Sequence, residues 1–196
     1  MEKACADAHF RNSCQSRTDL SAGFLNAEQA IEWDGPRLSD SLISSLPDRM
    51  DREHFAAVGV SALGLMSLKL DVESVRCSIL GSVAILHFGN PTTERSSTSV
   101  ARRWMITGGR LARAEPALGS ITFTWSMSQL TEDGWRHRLS ARVDGYPSRF
   151  IPTHSTRNPL RRAVAAAYAW YHSVVTCRYL RRLSRSLREE SLETSI

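Results

Sequence analysis

Between Ser120 and Asp144 the side chains alternate so regularly that a single local structure fits. Ile121, Phe123, Trp125 and Met127 are separated by Thr122, Thr124 and Ser126, while Trp135, His137, Leu139, Ala141 and Val143 share one parity against Arg136, Arg138 and Arg142. A period of two gives each segment one buried and one solvated face, so the stretch is an antiparallel hairpin. Directly opposed residues must lie on the same face, and this restricts the register. A three-residue loop, Glu132-Asp133-Gly134, opposes Thr131 to Trp135, Met127 to Leu139, Trp125 to Ala141 and Phe123 to Val143. It also places Gly134 in the left-handed backbone region that such loops require.

Other segments extend this sheet. Met66, Leu68, Leu70 and Val72 alternate with Ser67, Lys69, Asp71 and Glu73, and Val58-Gly59-Val60 is a short strand before them or the start of the same one. Ile79 to Phe88 is apolar on both parities, as a central strand is, with Gly81 as a bulge. Thr92 to Ser99 is read as a loop, Val100 to Thr107 as a strand burying Val100, Trp104 and Ile106, and Leu111 to Leu118 as an irregular connection or edge strand. The count is about five or six strands, mostly sequential, which favours a meander.

Asn158-Pro159 starts a helix, with Asn at the N-cap and Pro at the first position. Val164, Tyr168, Tyr171, Val175, Tyr179 and Leu183 then recur at helical steps, predicting a long amphipathic helix over 158–188. In the first third of the chain, Leu20, Phe24, Ala27 and Ile31 have helical spacing. Ser39 to Leu46 suits a second short helix stopped by Pro47, followed by a charged turn or connecting helix. The expected organisation is a partly disordered N-terminal extension (1–55) with short helices and a single α+β domain (56–190), its sheet over 56–146.

Charge is unevenly placed. Residues 1–55 carry 6 basic and 10 acidic side chains, residues 56–150 carry 11 and 7, and residues 151–196 carry 8 and 3. An acidic front and a basic back can meet within the fold, or the basic end can serve an acidic partner. Cys5, Cys14, Cys77 and Cys177 form no close pair, and the histidines form no H-x-x-x-H, so neither a metal nor a cofactor is expected. With no apolar leader segment at the N-terminus, four free thiols in a reducing cytoplasm are expected. No run approaches the roughly 20 apolar residues of a membrane span. Gly59-Val60-Ser61-Ala62-Leu63-Gly64 spaces its glycines wrongly for a nucleophile elbow and lacks the lysine of a phosphate loop.

A strand sheet closed by a C-terminal helix resembles, in layout, the helix-grip arrangement of START-like lipid- and polyketide-binding domains, in which the helix closes a curved sheet over a cavity. The resemblance implies a small apolar ligand between sheet and helix, with Trp104, Trp125, His137 and Tyr171 lining the site and His137 supplying the polar contact. His137 interrupts an apolar row, where it serves as a ligand contact or as an ordinary core histidine. A second reading is a protein-interaction module, whose arginine-bearing strand face and basic helix end meet an acidic partner. An enzyme of the same layout with His137 as general base is the third. Nucleic acid is disfavoured, because the aromatic residues lie on the strand face opposite the arginines.

Overall fold

The computed structural model describes residues 14–21, 23–61, 66–70, 75–79, 83–112, 119–131, 134–151 and 158–193. In chain order the elements are β1 (Gln15–Ser21), β2 (Phe24–Gly35), α1 (Asp40–Ser61), β3 (Met66–Leu70), β4 (Val75–Ile79), β5 (Val83–Phe88), β6 (Thr92–Arg95), β7 (Ser99–Gly108), β8 (Ser120–Gln129), β9 (Trp135–Pro147) and α2 (Pro159–Glu193). The strands form one antiparallel sheet in the order β1-β2-β9-β8-β7-β5-β4-β3, with β6 also paired to β7. Both helices lie on it and touch each other, α1 meeting β3 and β7 and α2 meeting β1, β2 and β9. This is the α+β, helix-grip-like layout expected, with more strands than the five or six foreseen.

The hairpin of β8 and β9 keeps the expected faces: Phe123, Trp125, Met127, His137, Leu139, Ala141 and Val143 are all buried. Its register differs by two residues. Gln129 opposes Trp135, Met127 opposes His137, Trp125 opposes Leu139 and Phe123 opposes Ala141. A shift of two preserves parity, so the face argument could not detect it. The loop runs from Leu130 to Gly134, whose carbonyl accepts from the Leu130 and Thr131 amides, and Gly134 is not in the left-handed region. There a Cβ would meet Thr131 Oγ1 at 2.6 Å, a contact that rotation of the exposed threonine side chain relieves.

The N-terminal reading is corrected. Gln15–Ser21 and Phe24–Gly35 are strands, because a second periodicity outweighs the helical one. Leu25, Ala27, Gln29, Ile31 and Trp33 are all buried and oppose Tyr146, Val143, Ala141, Leu139 and His137. Glu28, Glu32 and Asp34 face outward against the arginines of β9. The expected boundary at residue 55 falls inside α1, which runs through Pro47 and takes in Val58-Gly59-Val60. Proline inside a helix costs about 3 kcal/mol, and burial of Leu42, Leu46, Met50 and Ala57 along one face opposes that cost. Ser39 caps this helix, its Oγ accepting from the Leu42 amide at 3.4 Å.

The Ile79–Phe88 run is two strands, not one. β4 ends at Ile79, which opposes Val83 at the start of β5, and the irregularity lies between Cys77 and Ser78. The Gly81 bulge falls outside the described residues. Thr92–Arg95, expected as loop, is an added strand, and Ala112 makes an isolated bridge to Ser148. α2 starts as foreseen, with Asn158 Oδ1 accepting from the Leu160 and Arg161 amides.

Two of the four cysteines are bonded, which corrects the expectation of free thiols. Cys14 and Cys177 form a disulfide across 163 residues, with Cα atoms 5.8 Å apart. Cys14, Ser16 and Thr18 share the parity of β1 that faces α2. Ser173, one turn before Cys177, accepts from Ser16 at 3.1 Å and lies 3.5 Å from Thr18. Gln29 of β2 donates to Ser16 at 3.2 Å. Cys77 is a free, buried thiol, and Cys5 lies outside the described residues. The bonded pair removes the thiol-based ground for a cytoplasmic placement.

Candidate functional site

The four aromatic residues foreseen as lining do not form one cluster. Trp125 and His137 lie together, both fully buried, with rings 6.0 Å apart and Trp33 stacked beside His137 at 5.1 Å. His137 Nε2 is 2.9 Å from the Pro36 carbonyl, which can only accept. The neutral ring therefore carries its proton on Nε2 and leaves Nδ1 as an acceptor. Neither that atom nor the nearby Trp125 Nε1 has a hydrogen-bond partner among the described residues. Burial lowers the His137 pKa.

Trp104 sits elsewhere, tying β7 to α1. Its Nε1 donates to Asp51 Oδ1 at 2.9 Å, while Arg102 donates to Oδ2 of the same carboxylate at 2.7 Å and lies over the indole ring at 5.5 Å. Burial raises the Asp51 pKa, against the opposing pull of Arg102. Trp104 also packs on Phe55 and Phe88. Tyr171 is half-buried on α2.

Sequence reasoning missed a second group, between α1, β8 and α2. His54 packs against Phe123 at 4.7 Å and Tyr179 at 5.5 Å, and Phe123 against Tyr179 at 5.2 Å. His172, one residue past Tyr171, is close enough for its charge to act on His54. Burial holds His54 at about 3, with help from His172, and holds His172 at about 4, so both rings are neutral. The Nδ1 atoms of both, and the Tyr179 hydroxyl, lack a hydrogen-bond partner among the described residues.

These histidines lie deep in the molecule, yet each keeps part of its surface accessible, as do the neighbouring Phe55, Val58, Ile121 and Tyr168. Tyr168 meets Ser148 and Tyr146 through its hydroxyl and is pushed up to about 12 by burial. The charged groups near Tyr179 are neutralised locally, Asp51 by Arg102 and Glu53 by Arg182 at 2.8 Å. The group is therefore aromatic and uncharged, with hydrogen-bonding capacity to spare. No motif could signal it, because its histidines come from two helices distant in sequence.

The arginine-bearing strand face is satisfied from within. Arg136 pairs with Asp34 at 3.0 Å, and Arg138 with Glu32 at 2.6 Å and Glu28 at 3.1 Å. The acidic front and basic back thus meet across β2 and β9, and an acidic protein partner is not supported there. At the far end of the same face, Arg17, Asp19, Glu28, Arg142 and Asp144 border an open cleft of about 330 Å³ with charges of both signs.

No protein-family model and no curated protein matches the chain. Among solved structures it is similar to a START superfamily protein from Mycobacterium smegmatis, at 10% identity and a TM-score of 0.33, covering 80% of this chain and 98% of that one. It is also similar to a human lipid transfer and protein localization domain (8% identity, TM-score 0.34, 84% and 87% covered). An aromatase/cyclase from Streptomyces gives 12% identity and a TM-score of 0.31, with 81% and 94% covered. Likeness at this level carries no argument about function, which rests on the side chains described above.

Proposed function

We propose that this chain binds a small, largely apolar molecule between the sheet and its two helices. The ligand body rests on Phe55, Val58, Ile121 and Tyr168, and one uncharged polar atom of it bonds to His54 or His172. The observation that supports this most is the pair of deep imidazoles whose Nδ1 atoms have no partner among the described residues. Leaving such an atom unmet costs about 1–3 kcal/mol, and a ligand hydroxyl or carbonyl offsets that cost. Trp104 supports this region by packing on Phe55, and Tyr171 neighbours His172. Trp125 and His137 form the adjoining floor of the same sheet face.

Binding is favoured over catalysis by the basicity of these rings. A general base works best with a pKa near the operating pH, and burial places His54 and His172 well below neutrality. They accept or donate hydrogen bonds without taking up a proton.

The test is calorimetric titration with three matched probes: naphthalene, naphthol and naphthoate. Naphthol is expected to bind about tenfold more tightly than naphthalene, the worth of one buried hydrogen bond, and naphthoate not to bind. His172→Leu is expected to erase the preference for naphthol while keeping naphthalene binding. No binding of either neutral probe would overturn the site itself. Equal binding of naphthalene and naphthol would overturn the role of the histidines.

A further inference from the structure

The outward face of α2 is divided in two along its length. In the first half it presents Leu160, Val164, Trp170 and Val174, which are 70%, 41%, 68% and 41% exposed. Steps of four, six and four residues keep these on one side of a helix with 3.6 residues per turn. Ala163 and Ala167 lie on the same side and are exposed as well. Continuing along this side, the second half presents Arg178, Arg181 and Arg185, all exposed, beside Arg182, which pairs with Glu53 of α1. Arg161 and Arg162 are exposed at the other end, and α2 contains no acidic residue before Glu189.

Val164 was expected on the buried stripe. The observed rotation instead buries Ala165, Val175, Tyr179 and Leu183, and turns the apolar row containing Trp170 toward solvent. A surface helix ordinarily carries polar residues there, and an exposed apolar row bordered by charge of one sign marks a docking surface.

We propose that this face of α2 seats the protein on an anionic lipid bilayer, Leu160, Val164, Trp170 and Val174 entering the headgroup boundary and the arginines holding lipid phosphates and carboxylates. The charge pattern selects this occupant. Apolar residues alone would suit a neutral groove, but arginines at both ends of the row, with no acid between them, complement a surface that is negative everywhere. Tryptophan is well suited to that boundary, since its ring is apolar and its N–H polar. No helix among the described residues is long and apolar enough to cross a membrane, so contact is at the surface.

Flotation of the full chain with vesicles of phosphatidylcholine, with and without phosphatidylserine, tests this. Phosphatidylserine is expected to raise the bound fraction at least about tenfold at low salt, an effect that fades as salt rises. The double variant Leu160→Ser, Trp170→Ser is expected to lose vesicle binding while keeping the wild-type melting temperature, because both side chains are exposed. Arg178→Glu with Arg181→Glu is expected to remove the phosphatidylserine dependence. Absence of flotation, or flotation unchanged in both variants, would overturn the proposal. Self-association lost in the double variant, with no vesicle binding, would overturn it in favour of a second copy of the chain.

Discussion

Trp33 and His137 oppose each other directly across β2 and β9, with ring centroids 5.1 Å apart and planes 18° from parallel. The Pro36 carbonyl fixes the ring from its edge. Trp33→Ala is expected to cost about 3–5 kcal/mol, as large-to-small aromatic changes in a core do. His137→Phe retains the stack but leaves the carbonyl unmet, at about 1–3 kcal/mol. Denaturant melts measure both, and equal stability of His137→Phe and wild type would remove the hydrogen bond from the account. Nitrogen chemical shifts are expected to report a neutral ring protonated on Nε2.

Acid should destabilise the fold through its buried histidines. His54 and His172 titrate near 3 and 4 when folded, and both have an ordinary value of 6.5. As pH falls below 6.5 the unfolded chain takes up protons that the folded chain refuses. Stability is therefore full above 6.5 and declines toward 4, by up to about 1.4 kcal/mol per pH unit for each histidine. His137 acts in the same direction, and Asp51, with its raised pKa, in the opposite one. A melting temperature flat between about pH 6.5 and pH 4.5 would contradict this linkage, whereas His172→Gln should flatten it partially.

Reduction should weaken the fold markedly. On the chain-entropy account, a bond closing a loop of this length is worth about 5 kcal/mol. The denaturation midpoint is expected to drop with reductant, and Cys14→Ser to show the lowered midpoint without it. A variant as stable as the oxidised wild type would show that the bond contributes nothing. Cys77 is expected to resist thiol reagents in the folded state, because burial pushes its thiol up to about 11.

Two arginine changes should differ in cost. Arg102 and Asp51 form a pair whose side chains are 18% and 15% exposed, and Trp104 depends on the same carboxylate. Arg102→Ala is expected to cost about 3 kcal/mol, since it strands a buried charge. Arg136→Ala breaks a pair that is about half exposed on both sides, and is expected to cost under about 1 kcal/mol. Similar losses in chemical denaturation would refute the distinction.

Parity was the legible part of this chain. It assigned both faces of β8 and β9 and Val100, Trp104 and Ile106 of β7, while the Asn158-Pro159 pair marked the capped start of α2. What parity cannot carry is a shift of two residues, and the register of β8 on β9 moved by that amount. The N-terminal strands were misread because Phe24, Ala27 and Ile31 fit a helix while Leu25, Ala27, Gln29, Ile31 and Trp33 fit a strand. Only the presence of β9 decides between them. Pro47 stopped the helix on paper, whereas tertiary burial of Leu46 and Met50 carries it onward. Among the histidines, His137 attracted attention because it broke a visible pattern. His54 and His172 broke none, and their meeting depends on how two helices cross.

The bond between Cys14 and Cys177 also has a mechanical consequence. Every strand of the sheet lies between these two residues, so the covalent link is a bypass around all of them. Tension applied between residue 14 and the end of α2 passes through the sulfurs into the stretch from Cys177 to Glu193 and never loads the sheet. Pulled in that geometry, the oxidised protein should lengthen only by the last turns of α2. Adding reductant should release the remaining contour length as the sheet comes under load.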